Sequence, residues 1–309
     1  MLNTPWQNRR DHYDIVIIGS GYGGAITAAR LATANLNPPR SICILERGKE
    51  WKPGDYPEQP LDVAAQVRSD LNPLGLYELL NYPDISVIKG SGLGGTSLIN
   101  ANVAILPDQE VFEQFHWPAA ITYDALAPFY RQAFSVLAAN PHPRALELAK
   151  VQALDRRARE LGTSVQPLNI VVNFTIDGIE NPYGVVQHKC IDCGNCVTGC
   201  NVGAKNTLYI NYLPMAKNAG AIIHTQTKVE WLEKLQGGGW RIHGKHLEVG
   251  RDAESFTLNA SEVILAAGSL NSTEILLRSE AHGLPVSKAL WMCTGTFFRM
   301  TAPCTKGYM

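Results

Sequence analysis

The sequence has no apolar run approaching the ~18 residues a transmembrane helix needs. It also has no excess of either charge: 27 basic residues stand against 28 acidic ones, for a net charge of −1. That balance speaks against a nucleic-acid surface or a polybasic membrane anchor. Arg9-Arg10 invites an export-signal reading. No apolar segment is left to be cleaved, however, because the apolar residues that follow belong to a strand. A cytoplasmic location is therefore expected. The cysteines are not spread along the chain as a disulfide framework would need. Four of the seven lie within eleven residues, which points to a metal or redox site. What remains is an ordinary globular composition, 45% hydrophobic and 18% charged over 309 residues, long enough for two domains.

Asp14-Ile15-Val16-Ile17-Ile18 is a short β-branched run that reads as a buried parallel strand. Gly19-Ser20-Gly21-Tyr22-Gly23-Gly24 follows, so Gly19, Gly21 and Gly24 fill the three places of G-x-G-x-x-G. The first glycine allows the turn, the second lets the backbone approach a pyrophosphate, and the third lets helix pack on strand. The pattern then predicts a helix over Ala25–Leu36, whose free N–H groups would face phosphates. A second strand, Ser41–Leu45, ends at Glu46, where a carboxylate can accept hydrogen bonds from a ribose diol. A lone glycine motif is weak evidence. With strand, helix and acid around it, this one points to the ADP half of FAD or NAD.

Gly90-Ser91-Gly92-Leu93-Gly94-Gly95-Thr96-Ser97 is a second glycine-rich loop, suited to close backbone approach to a flat or anionic ligand. A simple NAD domain has no need of it, so FAD is the expected dinucleotide. Tyr123–Ala138 and Ala145–Leu161 read as amphipathic helices, and Val171–Phe174 as a strand. Ala221–Leu235 reads as two strands that continue through Trp240-Arg241-Ile242 and His246–Val249 as a β-meander. His224, His243 and His246 have no ligand spacing and read as structural or solvated. Ser261–Gly268 is a third strand-then-glycine signal, able to close a parallel sheet with its glycine against the cofactor. The expected fold class is α/β: a Rossmann-like FAD-binding domain with a parallel sheet, an inserted cap or substrate region, and a β-meander. The expected boundaries are 1–110 and 205–290 for a discontinuous FAD-binding domain, 111–204 for the inserted cap, and 291–309 for an atypical tail.

In this order the pieces resemble the glucose–methanol–choline (GMC) family of FAD oxidoreductases, nearest its cholesterol-oxidase-like branch. The resemblance runs from Tyr13 to about Leu290. It rests on Tyr13–Gly24, Leu45-Glu46-Arg47-Gly48, Gly90–Asn100, Gly203-Ala204-Lys205-Asn206-Thr207-Leu208 and Val263–Leu277. It implies that Gly19, Gly21, Gly24 and Glu46 hold the ADP half of FAD, and that Gly95, Thr96, Asn100 and Val103 line the flavin side. Val229 would offer its backbone to the adenine, and Gly268 would pack near the diphosphate. It implies oxidation of the CH–OH group of a sterol-like or other hydrophobic alcohol, with O₂ or an electron carrier reoxidising the flavin. Ser272-Thr273 and Ser279-Glu280 depart from the usual signature in the direction of the sterol-like branch. Family members are far longer, and their catalytic His and His/Asn pair would follow Leu290, so no catalytic residue is named. A non-catalytic FAD-binding fragment is the alternative. Trp291–Met309 fits no family continuation, and a truncated or frame-shifted reading is expected.

Cys190, Cys193, Cys196 and Cys200 have the C-x2-C-x2-C-x3-C spacing of bacterial ferredoxins, with Asn201 where proline is usual. Such a run can hold irons of a 4Fe–4S cluster, making an iron–sulfur flavoprotein dehydrogenase a further alternative. Zinc, or a thiol-rich or disulfide-linked loop without metal, are the other readings.

Overall fold

The computed structural model describes residues 1–115 and 117–286; the expected tail, with Cys293 and Cys304, lies outside them. Strand β1 (His12–Ile18) leads into helix α1 (Tyr22–Thr33) and strand β2 (Ile42–Leu45). The helix starts and ends three residues earlier than its apolar pattern indicates. Gly21 is extended and serves as its N-cap, so the glycine motif itself forms the first turn.

Helix α2 (Pro60–Ala65) precedes a hairpin of β3 (Tyr77–Asn81) and β4 (Ser86–Gly90), in which Glu78 lies opposite Lys89. The next region holds α3 (Tyr123–Val136), β5 (Asn140–Pro141), α4 (Ala149–Glu160), β6 (Asn169–Ile170), β7 (Ile179–Glu180) and β8 (Val186–Gln187). Thr122 caps α3 by accepting from the Ala125 N–H. Neither α3 nor α4 has a fully buried residue. In place of the strand expected at Val171–Phe174 there is β6, just before it, and a single bridge between Val172 and Lys205. The order closes with α5 (Tyr212–Asn218), β9 (Ile222–His224), β10 (Thr227–Lys234), β11 (Trp240–His246), β12 (Glu254–Leu265) and α6 (Ser269–Ala281).

The main sheet runs β10-β11-β12-β1-β2-β9. Four of these strands, β12, β1, β2 and β9, are mutually parallel, while β10, β11 and β12 pair antiparallel. β12 belongs to both parts: His243 lies opposite Thr257 on one side, and Val16 opposite Val263 on the other. The meander is therefore an extension of the parallel sheet. Phe256, Leu258 and Ala260 are buried, alternating with more exposed neighbours, the period of a half-buried antiparallel strand.

Both faces of the parallel part are covered, which is why its strands read as continuous apolar runs. Ile15, Ile17, Ile42 and Ile44 pack on α1 and α5 through Ala25, Ala28, Ala29 and Leu213. Val16, Ile18, Cys43 and Leu45 face the other way, toward Val229, Leu258 and Ile275. Trp6 joins that second layer from the N-terminal segment, stacked on His246 and edge-on to His224. Among the described residues no helix is long and apolar enough to cross a membrane.

Candidate functional site

A cleft of about 480 Å³ opens at the C-terminal ends of β1, β2 and β12, where α/β sheets place ligands. Gly19, Gly21, Glu46, Gly95, Thr96, Val229 and Gly268 all line it. Gly24 lies beneath: a Cβ there would stand 1.9 Å from the Gly19 carbonyl oxygen, so only glycine lets α1 sit this close to the turn. Gly95, at φ +58°, brings the second glycine loop against the first, since a Cβ on it would be 2.9 Å from the Gly21 Cα. Gly268 ends the β12 connection and caps α6, so a second helix N-terminus also opens on the cleft. Asn100 and Val103 stand outside the lining. The Asn100 amide donates to the Tyr22 hydroxyl at 2.9 Å, and Val103 bridges to Ile170.

Ser20, the unassigned residue between two motif glycines, is the hub of this region. It is fully buried, and its N–H and hydroxyl both donate to Glu46 Oε2, at 3.0 and 2.5 Å. The Gly48 N–H donates to Glu46 Oε1 at 2.8 Å, and the Gly94 N–H to Ser20 Oγ at 3.0 Å. Ser20 thus ties Glu46 to both glycine loops. A hydroxyl between two glycines was the only available signal, and it is too common to be read alone.

On the far wall Glu78 gathers three cations. Arg68 approaches to 3.2 Å and Lys89 to 3.0 Å, while Arg47 makes a bidentate pair at 3.2 and 2.5 Å. Burial alone would raise the Glu78 carboxyl, but Arg47 and Lys89 outweigh it and bring the pKa down to about 2. Ser91, beside Lys89, is buried with a hydroxyl that has no hydrogen-bond partner. A dinucleotide fits this cleft on two counts: open backbone at two helix N-termini and an acid at the end of β2.

The four loop cysteines are free thiols. They surround a hollow of only about 20 Å³, little more than one water. Among the described residues no group of three or more His, Cys, Asp or Glu side chains is arranged to hold a metal. As placed, these thiols do not fit a 4Fe–4S cluster. Behind them Lys205, 1% exposed, donates to the carbonyls of Leu98, Asn100 and Cys196 at 3.2, 2.7 and 3.0 Å. Burial lowers its ammonium to about 8, opposed by the nearby Cys196 and Cys200. It binds the cysteine loop to the segment that follows the second glycine loop. His224 is structural, bonded to the Thr4 carbonyl at 2.9 Å and the Tyr13 hydroxyl at 3.3 Å.

Fold and site together define a dinucleotide-binding α/β protein with two apposed glycine loops. The family model for GMC oxidoreductases matches residues 13–290, and the chain belongs to that family. FAD is the cofactor that this membership implies. The chain is 30% identical over 303 residues to a cholesterol oxidase of Mycobacterium tuberculosis, covering 92% of this chain and 51% of that one. It is 28% identical to a cholesterol oxidase of Acinetobacter baumannii (88% and 51%) and 26% identical to a long-chain-alcohol oxidase of Arabidopsis thaliana (86% and 34%). The chain thus spans about half the length, or less, of these relatives. Among solved structures, a fungal aryl-alcohol oxidase aligns with TM-score 0.56 at 17% identity, over 90% of this chain and 50% of that one, which shows a shared fold.

Proposed function

We propose that this chain is the FAD-binding part of an oxidoreductase that acts on the CH–OH group of a hydrophobic, sterol-like alcohol. The observation that carries this is the contact between the two glycine loops over a cleft closed by Glu46. In this reading Gly19, Gly21, Gly24 and Glu46 hold the ADP half, with Val229 beside the adenine and Gly268 near the diphosphate. Gly95, Thr96, Asn100 and Val103 serve the flavin side. Residues 1–110 and 205–290 form the FAD-binding domain, and 111–204 the inserted cap. The pairing of β12 with β1 supports that division, because a late strand returns to the sheet beside the first one. The cytoplasm is the proposed location.

FAD, when bound, supplies the two-electron acceptor for the alcohol carbon. The chain's own residues position and enclose it: α1 and α6 present N–H groups to the phosphates, Ser20 fixes Glu46, and Lys205 holds the segment after the second loop. No residue of this chain is assigned as the base that takes the hydroxyl proton. O₂ or an electron carrier is the proposed final acceptor.

Reconstitution with FAD, followed by anaerobic addition of cholesterol or a long-chain alcohol, tests the reading. Bleaching of the flavin spectrum is expected. Flavin that no alcohol reduces would favour a second reading, an FAD-binding chain without catalysis. Uptake of NADH with no flavin absorbance would overturn both. An iron–sulfur flavoprotein rests on the cysteine spacing alone, and iron analysis with electron paramagnetic resonance on anaerobically purified protein decides it.

A further inference from the structure

Residues 2–9 lie as a strap along β9, the edge strand of the main sheet. The Thr4 N–H donates to the Ile223 carbonyl at 2.7 Å, and the Thr225 N–H donates to Asn3 Oδ1 at 2.9 Å. Covering a sheet edge in this way satisfies backbone groups that would otherwise stand open. The strap is fastened at two histidines. His224 is fully buried, with Nδ1 donating to the Thr4 carbonyl at 2.9 Å and Nε2 lying 3.3 Å from the Tyr13 hydroxyl. Trp6 stacks on His246 at 5.0 Å and stands edge-on to His224 at 5.3 Å, and Arg9 lies over the Trp6 ring.

The same histidine reaches the cofactor cleft through its backbone. The His224 carbonyl accepts the Glu46 N–H at 2.8 Å and the Thr227 hydroxyl at 3.1 Å. Four residues after Glu46, Glu50 accepts the N–H groups of Leu2 and Asn3 at 2.8 and 3.1 Å. Residues 46–50 are therefore held at one end through His224 and at the other by the strap itself.

The charged groups acting on His224 are cations: Lys217 from α5, His246 from β11 and Arg9 from the strap. Burial and these cations hold its pKa below the usual imidazole value, against the bond to Thr4. Glu50 offsets Lys217 only by acting on that lysine. From β1, Tyr13 stays neutral, pushed up to about 12 chiefly by burial, and Cys43 on β2 is raised in the same way. His246 is balanced differently. Burial and Arg9 lower it, but Glu248 at 3.9 Å and Glu254, opposite it in register, favour its charged form.

We propose that residues 2–9 are an acid-released strap, opened by protonation of His224 and coupled through that residue to the hold of Glu46 on the dinucleotide. The coupling rests on the FAD reading above. His224 is a positioning residue, touching the strap and Glu46 and not the ligand. Above the ordinary imidazole value of 6.5 the ring is neutral whether the strap is closed or open. Below it the open form takes up a proton that the closed form resists, so at pH 5.5 opening is favoured by up to about tenfold. An imidazolium among cations moves toward water, which frees the Thr4 carbonyl and loosens the backbone that accepts from Glu46.

The test is hydrogen exchange of residues 2–9 in the full chain, corrected for intrinsic rates, at pH 7.5 and 5.5, with and without FAD. In the parent, protection of the strap falls on the order of five- to tenfold toward pH 5.5, and bound FAD raises it, because coupling between two sites is reciprocal. His224→Asn keeps a donor for Thr4 but takes up no proton, so its protection is flat with pH. His246→Gln retains the pH dependence. Thr4→Pro, which cannot donate to Ile223, opens the strap without altering the core; it raises the FAD dissociation constant about three- to tenfold at pH 7.5.

Parent protection that does not change between the two pH values overturns the inference, whether or not His224→Asn folds. So does pH dependence that survives in His224→Asn and disappears in His246→Gln. A parent that binds flavin, with strap protection unaffected by FAD and a Thr4→Pro chain that binds it as tightly, overturns the coupling and leaves the FAD reading standing. A parent that takes up no flavin overturns the FAD reading and the coupling together.

Discussion

Replacing Glu46 by glutamine keeps the shape of the side chain and removes one acceptor. The carboxylate of Glu46, 7% exposed, already accepts the Ser20 N–H at 3.0 Å, the Ser20 hydroxyl at 2.5 Å and the Gly48 N–H at 2.8 Å. A carboxylate has about four acceptor positions, so roughly one is left for a ribose hydroxyl. In the glutamine the carbonyl can serve Ser20 or Gly48 but not both, and its NH₂ must then face another N–H. A lost hydrogen bond to a charged group costs about 1.5–3 kcal/mol, and an orphaned buried donor adds about 1–3. Allowing for partial relaxation, Glu46→Gln should destabilise the flavin-free chain by about 2–4 kcal/mol. That lowers its melting temperature by roughly 4–8 °C. Flavin affinity should fall as well, about tenfold or more, because Ser20 also holds Gly94 of the second loop. Thermal unfolding by circular dichroism and flavin titration report the two effects separately. A variant that melts within a degree of the parent would refute the Ser20–Glu46 network as a structural element. Loss of flavin affinity alone would show that the carboxylate serves only the ribose.

Gly24→Ala drives a methyl to 1.9 Å from the Gly19 carbonyl; it should cost several kcal/mol and abolish flavin uptake, read by absorbance after reconstitution. Glu78, lowered from 4.5 to about 2, contributes stability that is complete above pH 4.5 and is lost as pH falls toward 2. Its shift corresponds to about 3 kcal/mol, so denaturant titrations of parent and Glu78→Gln should differ near neutrality and converge near pH 2; a constant gap would contradict the depressed pKa. Lys205→Met leaves three carbonyls without their donor and should lower stability by about 2–4 kcal/mol; it should also speed proteolysis within the cysteine loop, and an unchanged cleavage pattern would count against the clamp. The exposed faces of α3 and α4 should bind a hydrophobic dye in the isolated chain, and absence of dye fluorescence would show them covered.

The unit from β1 to Glu46 was legible because its signals are local. A β-branched run, glycines at fixed offsets and a helical period act within 34 residues, from Tyr13 to Glu46, and need no distant partner. Family membership was legible for the same reason, as an ordered set of short motifs. Only the tertiary structure decided what those motifs touch. β12 reaches β1 across more than 240 residues of chain, and its first half fuses the meander to the parallel sheet. Glu78 draws its three cations from the end of β2, the loop after α2 and strand β4, positions with no common period. Ser20 and Ser91 are ordinary serines in sequence; burial makes one a hub and leaves the other unpaired. The cysteine spacing announced a ligand set, but whether four thiols converge depends on the backbone path around Lys205, which spacing does not contain. Turns and periods are written in neighbouring residues, whereas charge balance, burial and convergence are properties of groups that meet only when the sheet closes.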